Sequence, residues 1–87
     1  MRFIDTKVSK EGRYSLGIEQ ESGEHYISIP VANSYVDYEE YYRLSIDEYA
    51  ALHVSSNQAV EFAEKCRRRE CDERLIVAPG RLRGEPV

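Results

Sequence analysis

The sequence predicts an α+β fold: an antiparallel sheet of about four to five strands with two helices packed on one face. Three observations carry this. The first 45 residues alternate apolar and polar side chains between glycine-containing turns. From Ser45 onward the apolar residues instead recur at helical spacing. No linker or low-complexity stretch divides the 87 residues, so residues 1–87 read as a single domain with one core.

The elements follow in order. Residues 3–9 are rich in β-branched side chains, and Glu11-Gly12 supplies a turn. Tyr14, Leu16 and Ile18 alternate with Ser15, Gly17 and Glu19, the period of a half-buried strand. After a second turn at Ser22-Gly23-Glu24, Ile27, Ile29 and Val31 alternate again, with Pro30 marking a strand end or an edge. A fourth strand is expected over 36–44. Its alternation sends Val36, Tyr38, Glu40, Tyr42 and Leu44 to the core and Tyr35, Asp37, Glu39, Tyr41 and Arg43 to solvent. Glu40 is the misfit on the core side.

Ser45-Ile46-Asp47-Glu48 has the spacing of a capping box, in which the serine hydroxyl and the glutamate each satisfy a free backbone N–H. A short helix follows, ending at Ser55-Ser56-Asn57. A second is expected over 57–70, where Ala59, Phe62, Ala63 and Cys66 form an apolar stripe and Glu61/Lys65 and Glu64/Arg68 stand four apart. Leu75-Ile76-Val77 reads as a last strand, and residues 81–87 read as a C-terminal tail.

Charge is unevenly placed. Residues 1–50 hold five Lys/Arg against ten Asp/Glu, and residues 51–87 hold seven against six. The acidic half argues against direct nucleic-acid binding, which needs clustered cations, and fits a basic partner. The N-terminus has no apolar core of signal-peptide length and no run suits a bilayer, so a cytoplasmic location is expected, with Cys66 and Cys71 as reduced thiols. Cys66 is expected in the core and Cys71 nearer the surface. No cofactor or metal is expected, because two Cys at this spacing and two scattered His match no common ligand set.

The richest segment is 35–42, with four tyrosines and three carboxylates in eight residues. Tyrosine favours strands, so core packing accounts for Tyr38 and Tyr42. Tyrosine also anchors interfaces, and carboxylates speed encounter with a cationic partner. Tyr35, Asp37, Glu39, Tyr41 and Glu40 are therefore the candidate partner-binding residues. Arg67, Arg68 and Arg69 fan over about 200° of a helix and are followed at once by acids, so they read as helix-terminal arginines. His25 and His53 belong to no nucleophile set. Glu39 and Glu40 point to opposite faces of a strand and cannot share a substrate. No enzyme is expected.

The run from Tyr26 to Pro86 contains Ile27-Ser28-Ile29-Pro30-Val31, Val36-Asp37-Tyr38-Glu39-Glu40-Tyr41-Tyr42, Phe62-Ala63-Glu64-Lys65-Cys66-Arg67-Arg68-Arg69-Glu70 and Pro79-Gly80-Arg81. On these phrases it resembles the immunity proteins of bacterial polymorphic toxin systems. The resemblance implies a chain, monomeric when free, that forms a heterodimer with a cognate toxin domain and blocks its active site. The alternative is a self-associating or adaptor domain that uses the same strand as a sheet edge.

Overall fold

The computed structural model describes residues 1–87 and has the antiparallel α+β architecture. Strands β1 (Phe3–Ser9), β2 (Tyr14–Glu19), β3 (His25–Ala32) and β4 (Asp37–Leu44) form a meander in the order β1-β2-β3-β4. Helices α1 (Ile46–Val54) and α2 (Ser56–Arg67), a 3₁₀ turn (Asp72–Arg74) and a short β5 (Glu85–Pro86) complete the chain. No helix is long and apolar enough to cross a membrane.

The strand registers align Leu16, Ile27 and Tyr42 in one row and set Ile29 beside Glu40 in the next. This face carries the core, closed from above by Leu52 of α1 and by Ala59, Ala63 and Cys66 of α2. Small side chains at those three positions let the α2 backbone come close to the sheet. Cys71 is buried in the same cluster, contrary to the expectation of exposure, because the chain turns back toward β4 directly after α2. Desolvation, followed by the neighbouring Cys71, pushes the Cys66 thiol well above its ordinary pKa, which leaves it unreactive.

The capping box is present: Glu48 N–H donates to Ser45 Oγ at 3.1 Å, and Ser45 N–H donates to Glu48 Oε1 at 2.8 Å. Ser55 then serves both helices. Its N–H closes α1 on Ala51 O at 3.0 Å, and its Oγ opens α2 by accepting from Gln58 N–H at 3.3 Å. Helix α2 stops short of the predicted 70. Arg69 turns into the left-handed region (φ 61°), donating to Cys66 O while Glu70 N–H donates to Lys65 O, both at 3.0 Å. This is a Schellman stop with arginine where glycine is usual. The predicted Glu64/Arg68 pair is replaced by Glu64–Arg67 at 2.8 Å, while Arg68 reaches forward to Glu70 at 2.7 Å.

The last strand is not at 75–77. That segment makes one bridge, Tyr42 with Leu75, and one further bond, Ile76 N–H to Tyr41 O at 2.9 Å. The fifth strand is β5, which pairs with Val31 and Ala32 where β2 no longer covers β3. Residues 81–87 are thus a docked tail. At Gly84 the chain passes so close to the Ala32 carbonyl that a Cβ would overlap it.

Candidate binding face

Strand alternation directs a second set of side chains away from the helices. Asp5, Gly17, Tyr26 and Arg43 form one row across the sheet, and Val8, Ser15, Ser28 and Tyr41 form the next. Phe3 and Glu19 flank the first row, Pro30 and Glu39 the second. A bulge between Asp5 and Lys7 keeps β1 in phase with this face. It turns Thr6 to the helix side, where its Oγ1 lies 3.3 Å from His53 Nε2.

Tyr26 is fully buried, although no helix covers it. Its ring lies across Gly17, where any Cβ would overlap the tyrosine ring and the Ile4 carbonyl. Phe3 and Tyr41, from the two outer strands, close over it. Their rings stack face to face with centroids 3.7 Å apart and planes 10° apart. Each meets Tyr26 edge-on, at 5.4 Å for Phe3 and 5.0 Å for Tyr41. Aromatic pairs of this kind add roughly 0.5–1.5 kcal/mol beyond their buried area. The Tyr26 hydroxyl donates to Asp5 Oδ1 at 2.5 Å. The face therefore has an ordered aromatic floor.

Carboxylates surround that floor. Glu39 Oε1 accepts from the Ser28 hydroxyl at 3.0 Å, and Glu19 closes one corner by accepting N–H bonds from Arg2, Glu21 and Ser22. Asp5, Asp37 and Glu39 take part in none of the ion pairs of the chain. Arg43, the cation in the row of Asp5 and Tyr26, is engaged by Glu24 at 2.8 Å. Desolvation, with the Asp5 charge behind it, raises the Glu39 pKa against the lowering bond from Ser28. The Tyr41 hydroxyl is raised by desolvation and then by Glu39 and Asp5.

The five residues singled out from sequence divide between two faces and a loop. Asp37 and Glu39 are exposed on the open face, and Tyr41 lies half-buried beside them in the stack. Tyr35 stands in the loop before β4, 80% exposed, where Asn33 Oδ1 accepts from the N–H groups of Tyr35 and Val36. Glu40 does not join them. It is 6% exposed on the helix side, bonded to Arg83 and to the Tyr42 hydroxyl, because strand alternation opposes it to Glu39.

Phe3, Asp5, Tyr26 and Ser28 complete the face and were not singled out from sequence. The one local signal was Gly17 inside a strand pattern, which marks a close approach by another group. The helix-terminal arginines are all occupied. Arg67 donates to the Gly12 and Arg13 carbonyls and pins the β1–β2 turn to α2. Arg69 donates to Gly84 O at 2.8 Å. His25 packs its ring 4.6 Å from Tyr49.

Comparison with protein-family models, curated proteins and solved structures finds no match to this chain.

Proposed function

We propose that this chain is an immunity-type inhibitor that binds one cognate toxin domain in the bacterial cytoplasm and acts by occlusion, not by catalysis. The observation that carries the reading is the helix-free sheet face, where Asp5, Asp37 and Glu39 lack any cationic partner around an ordered floor of Phe3, Tyr26 and Tyr41. A toxin acting on nucleic acid or nucleotides has a basic cleft. In such a cleft these carboxylates stand where phosphates would bind, and the rings supply contact area.

The test is co-expression with the toxin domain encoded directly upstream. Growth is expected to be restored by the chain and lost again with Asp37→Arg/Glu39→Arg, while far-UV circular dichroism shows the fold retained. A metabolic gene in that position, or rescue that survives the charge reversal, defeats the reading. The free chain is expected to run as a monomer in size-exclusion chromatography; a stable dimer favours the self-associating alternative.

A further inference from the structure

The open face is more specific than an acidic surface. Two of its carboxylates are held in fixed orientation by neutral donors, Asp5 by the Tyr26 hydroxyl and Glu39 by the Ser28 hydroxyl, so each keeps one oxygen without a partner. The aromatic floor links them: Tyr26, bonded to Asp5, meets the Tyr41 ring at 5.0 Å, and Tyr41 stands opposite the Ser28 that holds Glu39. Beside Glu39 the surface drops into a cavity of about 260 Å³ whose walls include Val8, Ser15 and Pro30. Lys10 and Arg13 also line that cavity but form no ion pair with Glu39.

We infer that this face takes an arginine side chain presented by the partner protein, with its guanidinium between Asp5 and Glu39 beside the Phe3–Tyr41 stack. The inference rests on the inhibitor reading and names what the partner must present. A guanidinium is planar, offers several donors in a fixed fork and stacks on aromatic rings, whereas an ammonium matches only the charge. The two free carboxylate oxygens and the half-buried rings suit the first. Val8 and Pro30 offer apolar surface for the aliphatic stem. Lys10 and Arg13 repel a second cation from the cavity, so the positive head is directed to the Asp5–Glu39 end.

The probe is hexa-arginine, titrated into the full chain and followed by NMR at the ring and carboxyl resonances of Phe3, Tyr26, Tyr41, Asp5 and Glu39. Saturable shifts confined to this group are expected, with weaker binding of hexa-lysine. Asp5→Asn and Glu39→Gln, which keep the acceptors for Tyr26 and Ser28, are each expected to weaken binding about tenfold, the effect of one charge-assisted bond. Asp47→Asn and Glu61→Gln, on the helices, are expected to leave it unchanged. Equal binding of hexa-lysine, equal weakening by the helix variants, or unmoved ring resonances would each overturn the inference. The role and the site fail separately. Arginine binding in a chain that neutralises no toxin removes the role and keeps the site. Toxin neutralisation that is indifferent to Asp5→Asn and Glu39→Gln keeps the role and removes the site.

Discussion

Arg83 grips Glu40 through two parallel hydrogen bonds, Nε to Oε2 at 2.7 Å and Nη2 to Oε1 at 3.0 Å, although 43 residues separate them. The other edge of the guanidinium engages Asp72 at 2.7 and 2.9 Å, and the Tyr42 hydroxyl donates to Glu40 Oε1 at 2.8 Å. Gly84 N–H donates to the Tyr38 hydroxyl at 2.7 Å, fastening the next residue to the same strand. A carboxylate in the apolar layer of the sheet is tolerated because an arginine arriving with the tail satisfies it.

Arg83→Met removes that partner and leaves Glu40 charged and buried. The expected cost is about 3–5 kcal/mol, the range for breaking a buried pair on one side. Adding Glu40→Met should recover much of it. Urea unfolding of the three proteins checks both steps; a single variant as stable as the parent shows that the tail does not support the core.

Gly17→Ala tests the aromatic floor. The methyl group would overlap the Tyr26 ring and the Ile4 carbonyl, and backbone on one side cannot yield. Destabilisation of about 1–3 kcal/mol is expected, as for other overpacked sites. The near-UV circular dichroism of the tyrosines should weaken with it. An unchanged spectrum and midpoint would show that Tyr26 is free to lift away.

Acid should loosen the corner at Glu19. The N–H of Arg2, at 2.8 Å, is the main cause of a pKa held down to about 2 from 4.5, with the N–H of Glu21 and then the hydroxyl and N–H of Ser22 adding to it. The unfolded chain takes up this proton first as acid is added. The contribution of Glu19 is therefore complete above the ordinary carboxylate range and is lost as pH falls from about 5 toward 2. Glu48, held down to about 2 chiefly by Arg74, fades in the same window. Glu19→Gln is expected to flatten the fall of the thermal midpoint between pH 5 and 2; identical slopes would show that the three N–H bonds do not set this pKa.

Glu39 has the opposite sign. Its pKa is raised in the folded chain, so its charge works against folding at neutral pH and protonation relieves the strain. Glu39→Gln, which keeps an acceptor for Ser28, is expected to raise the unfolding midpoint at pH 7 and to narrow that gain in acid. The same change should weaken partner binding, the pattern of a residue kept for recognition at the expense of stability. A lower midpoint at pH 7 would contradict this.

Much of the fold was legible because its causes are local. The Ser45–Glu48 capping box, the Ala59-Ala63-Cys66 stripe and the strand alternation all involve residues a few positions apart, within reach of a pattern. The division of 37–44 into a core side and an open side was equally readable, down to Glu40 as the residue that did not fit; Val36, expected on the core side, instead lies before β4 and is exposed.

What only the tertiary structure decided lies at long separation. The partner of Glu40 comes from the tail, and the docking of β5 depends on the edge that β2 leaves free. Leu75-Ile76-Val77 has better strand character than Glu85-Pro86, yet beside the outer edge of β4 it makes only one bridge and one further bond, while Glu85-Pro86 pairs with β3. Tyr41 was assigned to the open side from alternation, but its stacking on Phe3 over Tyr26 required the registers of all four strands. The sequence by itself determined the elements and the faces of each strand, through short-range sterics and burial. Which side chains meet across those faces was settled only by the assembled sheet.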